Sequence, residues 1–233
     1  MIMKSWVRRV CVVLAVLALL PTVLILAYRV MPPPITPLMV IRSFDGPPRR
    51  QQWVSADALS PEIFRAVIAA EDAKFCRHHG FDWQAMDEDF ARYEDGVGRL
   101  RGASTITMQT AKNLFLWPGR TFLRKGLEAP LTVELELLMS KKRIIELYLN
   151  DVEWGSGIYG VEAASQDAFG HSAKTLTMRE AALLAAVLPS PRRSSARRPS
   201  AYILRRAATI EARMAAVPFE RKRVCGVPQD PVL

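Results

Sequence analysis

The strongest constraint on this chain is a helix signal that runs into acids. Ser60 is a ready N-cap, Pro61 suits the first helical position, and Glu62 favours the positive helix end. Ile63 and Val67 share one apolar stripe at helical spacing, and Phe64 and Ile68 form the adjacent one. One step further, those stripes reach Glu71 and Asp72. Two carboxylates therefore fall where the pattern predicts apolar side chains. Burial disfavours the charged form of a carboxylate, and a carboxyl poised near neutral pH is what a general base needs. The alternative is that the helix ends at Ala70 and both acids cap or ion-pair at its exposed end.

The N-terminus carries a second constraint. Lys4, Arg8 and Arg9 precede an apolar run, Val10 to Tyr28, that contains no charged residue. Such a run is about long enough to cross a bilayer core, and the Pro21 inside it is tolerated there. Positive charge before the run predicts a cytoplasmic N-terminus with the remainder outside. A cleaved signal peptide is the rival, but bulky Tyr28, Arg29 and Val30 offer no small-residue cleavage site. The expected organisation is a cytoplasmic segment (1–9), a transmembrane signal anchor (10–28), a linker with a short membrane-proximal segment (29–58), one main domain (59–223) and a tail (224–233). With 233 residues, half of them hydrophobic, the chain suffices for one sizeable core. Its net charge of +9 suits anionic partners.

Pro32 to Pro34 and Pro37 suggest a stiff spacer, Val40 to Phe44 a short strand, and Trp53 with Val54 its return. Asp82 is the expected N-cap of a helix from Trp83 to Tyr93. His78 and His79 with Asp72 and Asp82 allow a metal reading, but structural histidines explain them better. Gly96, Gly98 and Gly102 mark a flexible loop that would suit a lid. Gly102 to Thr107 is rich in small and hydroxyl residues, as a capped helix start or an anion site would be. The following helix projects Lys112, and Arg120, Arg124 and Lys125 come soon after. These cations suit a pyrophosphate as well as a solvated basic face.

From Thr121 to Asn150 the pattern is helical, with a break expected at Pro130 and a buried stripe of Leu127, Leu131, Leu135 and Leu138. Glu128 lies within pairing reach of Arg124. Ile144 with Tyr148 and Ile145 with Leu149 continue a buried helix. A glycine-punctuated turn, Trp154 to Gly160, leads to a helix ended by Gly170. Thr177 and Glu180 form a capping box before an almost wholly apolar helix, Ala181 to Leu188. Arg192, Arg193, Arg197 and Arg198 make a basic loop before a last helix with Arg205, Arg206 and Arg213. Cys11 lies in the apolar run, and sequence alone does not decide whether Cys76 and Cys225 pair.

With these residues assembled, the chain resembles the monofunctional peptidoglycan glycosyltransferases, whose domain also forms the polymerising half of class A penicillin-binding proteins. EDAKFCRHHGFD from Glu71, GASTITMQTAKN from Gly102, RKGLE from Arg124, KKRIIELYLN from Lys141 and GSGIYGVEAASQDAFG from Gly155 are similar to that family's five motifs, in order. The resemblance implies a mainly α, lysozyme-like glycosyltransferase domain with a small membrane-proximal lobe. It implies polymerisation of lipid II into glycan strands by a single-pass protein of the inner membrane, its catalytic domain on the periplasmic side. By the same match Glu71 is the general base and Glu128 the second essential carboxylate. Asp72, Ser104, Thr105 and Gln109 would line the substrate site, and Lys112, Arg120, Arg124 and Lys125 would stabilise the departing pyrophosphate. The implied partners are lipid II, the growing glycan, the membrane and other cell-wall synthesis proteins. No cofactor is required, magnesium being an optional aid to the pyrophosphate. Two residues depart from the motifs: Met108 stands where the family usually has glutamine, and Ala168 where it has tyrosine.

Three rival functions can be weighed against this. A peptidoglycan-cleaving enzyme would use Glu71 as an acid, but a neutral sugar leaving group needs no cation cluster. A non-catalytic scaffold of wall synthesis predicts that Glu71 is dispensable. A nucleic-acid binder would carry its basic residues across the membrane from its ligand, without interleaved aromatics.

Overall fold

The computed structural model describes residues 2–96, 104–119, 121–217, 219–220 and 223–225; the side chains of residues 2–5, 14, 17, 18, 219, 220, 223 and 224 lie outside the description. The expected flexible loop falls largely on 97–103, and Arg120 is likewise outside the described residues.

The chain is mainly helical, as expected. Helix α1 (Ile2–Tyr28) leads to α2 (Pro37–Ser43), strand β1 (Arg50–Gln51) and α3 (Pro61–Glu71). Then come α4 (Trp83–Glu94), α5 (Ile106–Phe115), α6 (Phe122–Leu138) and α7 (Lys141–Asp151). A hairpin of β2 (Glu153–Gly155) and β3 (Ile158–Tyr159) is followed by α8 (Val161–Phe169), α9 (Met178–Val187) and α10 (Ala201–Met214). Strands β4 (Phe219–Glu220) and β5 (Arg223–Val224) close the described chain.

Side-chain caps set most of these boundaries. Ser60, Asp82, Thr105, Thr121, Ser140 and Ser200 each accept a hydrogen bond from an amide of the first helical turn, and Thr177 and Glu180 close the expected capping box. Helix α9 is the centre of the core. Ala181, Ala182, Leu184, Ala185 and Val187 are buried, and the small alanine side chains let α3 and α10 pack closely against it.

Four local expectations are corrected. Val40 to Phe44 is not a strand: Thr36 caps α2 and Pro37 starts it, and those start signals outweigh the β-branched run. The strand expected at Trp53 and Val54 lies instead at Arg50–Gln51 and pairs in parallel with β3, so the small sheet runs β1-β3-β2. Pro130 does not break its helix; α6 continues to Leu138, and the break comes where Ser140 caps α7. Burial of Leu131 and Leu135 just beyond it holds the helix together against the hydrogen bond that the proline removes. Leu131 and Leu135 are buried and Leu138 packs partly against the core, but Leu127 is exposed.

The chain before α3 is woven into this body. Ile25 and Tyr28 of α1 join the core, and Thr22 donates to Glu134 at 2.9 Å. Arg143 donates to the carbonyls of Tyr28 and Met31, both at 2.7 Å. Met39 of α2 is buried, and Val54 exchanges hydrogen bonds with the Asn150 side chain. Among the described residues no helix is long and apolar enough to cross a membrane; the side chains at positions 14, 17 and 18, within the apolar run of α1, are not among those described. Cys76 and Cys225 form a disulfide that ties the segment after α3 to β5.

Candidate active site

Helix α3 ends on Glu71, so both alternatives for the paired acids need revision. The helix does not stop at Ala70, and Asp72 is its C-cap rather than its continuation. The two acids then diverge. Asp72 is buried and uses both carboxylate oxygens on protein groups: Oδ2 accepts from the Ile106 amide at 2.9 Å, and Oδ1 lies 2.9 Å from His78 Nε2. It bridges α3 to the N-terminus of α5, where a helix favours an anion. His78 is thus a structural partner of Asp72, and no cluster of three or more potential metal ligands occurs among the described residues.

Glu71 faces a different set of groups. Its Oε2 accepts from Gln109 Nε2 at 3.0 Å, and its Oε1 lies 3.5 Å from Arg206 Nη2 on α10. The side chain is 14% exposed. Burial pushes its carboxyl above the usual range, opposed by the Gln109 hydrogen bond and the charges of Arg206 and Lys112, while Asp72 adds to the rise. Gln109 is itself oriented. Tyr148 on α7 donates its hydroxyl to Gln109 Oε1 at 3.2 Å, which turns the amide NH2 towards Glu71. Burial holds that phenol protonated, well above its ordinary range.

Gln109 and Lys112 lead from Glu71 into a cleft of about 390 Å³. Ser104, Arg124, Lys125 and Glu128 line it too, as do Met108 and, further along, Arg42 and Glu153. The structure therefore gathers Glu71, Ser104, Gln109, Lys112, Arg124, Lys125 and Glu128 in one region. Glu128 is buried and pairs with Arg124 one helical turn before it and with Lys125 at 3.1 Å. Lys125 also donates to Ser104 Oγ at 3.0 Å. Burial and the neighbouring Arg124 and Lys112 lower the Lys125 ammonium to about 8. Lys112 is lowered as well, by burial and then by Arg124, with Glu71 opposing. Arg124 and Lys125 share the single carboxylate of Glu128, and Lys112 beside them faces Glu71, so the cluster is poised for an anion.

Thr105 is engaged elsewhere. Its hydroxyl donates to the Gly80 carbonyl at 2.6 Å and accepts from the Met108 amide, so it holds the α5 start rather than facing the cleft. Gly80 sits at φ +91°, and a Cβ there would come within 2.7 Å of Thr132, so the close approach needs glycine. Sequence reasoning missed three contributors. Arg206 was legible only as one more basic residue on a distant helix. Tyr148 was legible as core, and Arg42 fell in a segment expected to be a strand.

Comparison with known proteins follows the same outline. The family described as Transglycosylase matches residues 39–215. A biosynthetic peptidoglycan transglycosylase of Rhodospirillum centenum is 55% identical over 219 residues, covering 94% of each chain. Proteins of the same name from Caulobacter vibrioides and Pseudomonas fluorescens are 52% and 49% identical, over 80% and 84% of this chain and 81% and 84% of theirs.

Proposed function

This chain belongs to the transglycosylase family, and from that premise we propose that it polymerises lipid II into β-1,4-linked glycan. The observation that carries the reading is the pairing of an enclosed, proton-seeking carboxylate, Glu71, with a cation cluster in the adjoining cleft. Glu71 takes the proton from the 4-hydroxyl of the acceptor sugar. That oxygen forms a bond to C1 of the donor, and the C1–O bond to the undecaprenyl pyrophosphate breaks. The electron pair leaves with the pyrophosphate, and the displacement inverts C1. Lys112, Arg124 and Lys125 meet the charge that grows on the leaving group, where fixed cations help most. Arg120 joins them by resemblance to the family. Glu128 keeps Arg124 and Lys125 aimed at that point. Ser104 and Gln109 line the donor side, and Asp72 and Thr105 support the site through the α5 start.

The cleft does not suit a resident metal. Its acids are Glu128, already engaged by two cations, and Glu153 beside Arg42. No step is routed through a divalent ion.

We read α1 as a single-pass anchor in the inner membrane, with Lys4, Arg8 and Arg9 on the cytoplasmic side and the catalytic body outside. The charge-free run 10–28 and the exposure of Val12, Val13, Val16, Leu19 and Val23 support this. The substrate's polyprenyl chain sits in the same outer leaflet.

The test is polymerisation of labelled lipid II in detergent, beside Glu71→Gln. Glycan from the native chain and a fall of roughly 10³-fold or more in the variant, the order expected when a general base is lost, support the reaction and the base. A folded native chain that makes no polymer refutes the reading, and equal rates place the base elsewhere.

A further inference from the structure

Each condensation described above joins two molecules that both carry a pyrophosphate and releases only one. The other remains on the product. A site for this reaction therefore has to accommodate two pyrophosphates at once, whereas the Lys112, Arg124 and Lys125 cluster accounts for the departing one.

A second group of cations adjoins the same cleft. Arg42 comes from the last turn of α2, and Arg192 and Arg193 from the turn that follows α9. With Glu153 and Ser190 they line a pocket of about 600 Å³. Arg42, Glu153, Pro189 and Pro191 belong to both this pocket and the cleft, so the two are continuous. Three guanidinium groups here meet one carboxylate. The contact between Arg42 Nε and Glu153 Oε2 is long, 3.9 Å, and Arg42 Nε is buried without a hydrogen-bond partner. Arg192 and Arg193 are exposed and enter no ion pair among the described residues. Beside Glu153 on the paired strand, the Tyr159 hydroxyl is also buried and unpartnered, and burial with the Glu153 charge pushes it up to about 12, so it remains a donor. The pocket thus offers surplus positive charge and, at Arg42 Nε, an unused donor, in the planar fork geometry that suits phosphate oxygens, with the Tyr159 hydroxyl behind its wall.

We propose that this pocket holds the pyrophosphate that the reaction retains, on the acceptor substrate, while the Lys112 cluster holds the one that departs. The inference rests on the glycosyltransferase reading above. Glu153 keeps Arg42 from swinging out of the pocket, and Arg192 and Arg193 close over the ligand from the solvent side. A phospholipid headgroup presents the same oxyanion chemistry, so the test separates the two sources.

Titration of the full chain in neutral detergent with geranyl diphosphate gives the stoichiometry directly. The native chain takes up two equivalents, Arg192→Gln/Arg193→Gln takes up one, and Lys112→Gln/Lys125→Gln also takes up one. Loss of two guanidinium contacts weakens the second site by roughly tenfold or more, and the KM for lipid II rises by a similar factor in the arginine variant. Both arginines are exposed, so this variant keeps the fold, and its circular dichroism spectrum checks that. Uptake of one equivalent by the native chain overturns the proposal. So does an arginine variant that keeps two equivalents and the native KM. If that variant keeps two equivalents but loses uptake of short-chain phosphatidylglycerol titrated in the same detergent, the pocket takes a lipid headgroup and the proposal is again overturned. The titration needs no turnover, so its outcome is distinct from failure of the native chain to make polymer.

Discussion

Replacing Arg206 by glutamine tests how the base is tuned. Arg206 reaches Glu71 from α10, and the two side chains are 28% and 14% exposed at 3.5 Å. Two unit charges about 4 Å apart attract by roughly 4 kcal/mol in surroundings of effective dielectric about 20. Solvent-exposed pairs contribute only ~0.2–1 kcal/mol. This pair lies between those limits, and the partial exposure of Arg206 argues for the lower half. An interaction of about 1 kcal/mol corresponds to roughly 0.7 of a pKa unit. The sign follows from the groups around the carboxyl. Burial and Asp72 raise it, while Gln109 and Lys112 on α5 and Arg206 on α10 lower it. Tyr148 on α7 reaches it through Gln109, which it orients. Removing Arg206 removes a lowering influence, so the carboxyl rises further and holds its proton to higher pH.

The assay is the pH profile of kcat/KM for lipid II. The acidic limb should move to higher pH by about half to one unit in Arg206→Gln, with the rate above that limb largely retained, and Arg206→Lys should restore most of the native profile. A limb that stays in place, or moves to lower pH, would refute the assignment of Arg206 as the tuner of Glu71. A uniform loss at every pH would mean that the arginine only holds α10 against α3.

Two further outcomes follow from buried and apolar groups. Asp151 is buried, its Oδ2 has no partner, and burial raises its carboxyl from 3.8 to about 7, against the Gln51 hydrogen bond and the Arg143 and Arg49 charges. The folded chain binds that proton more tightly than the unfolded one, so this group's contribution to stability is best below pH 3.8 and declines as pH rises to about 7. Asp151→Asn should therefore raise the free energy of chemical unfolding at pH 8, by about 2 kcal/mol once relaxation is allowed for, and have little effect at pH 4; equal shifts at both values would contradict the linkage. If α1 is the anchor, the full chain stays in the membrane pellet after an alkaline carbonate wash, and its release into the supernatant would exclude a spanning helix.

Much of this fold was legible because its helix starts are written locally. Ser60, Asp82, Thr105 and Thr177 announce their helices by residue type alone, and each caps as its sequence position suggests. The carboxylate at Glu71 and the Arg124–Glu128 pair were legible for the same reason, since both depend on helical spacing. What escaped depends on contacts far apart in the chain. Nothing near Cys76 points to Cys225, and nothing near Glu71 points to Arg206. Pro130 misled because the local cost of an internal proline is outweighed by tertiary burial: Leu131 and Leu135 just beyond it are buried and keep the helix continuous. The strand expected over Val40 to Phe44 failed because Val40, Ile41 and Phe44 fit one helical face as well as they fit a strand, and the Thr36 cap decided the matter.

Adjacent acids with opposite roles follow from where two helices end. Glu71 closes α3, at the end where a helix is least hospitable to negative charge, in an enclosed site. Asp72 turns away by one residue and delivers its carboxylate to the opposite kind of end, the amides that open α5. One acid is thereby spent on architecture and the other kept proton-seeking. The same α5 start carries Gln109 and Lys112 on its following turns, so the contact that anchors Asp72 also sets the distance between the base and the first cation of the cleft. A change at Asp72 would loosen both, which makes its expected role that of a spacer between base and pyrophosphate rather than a ligand of either.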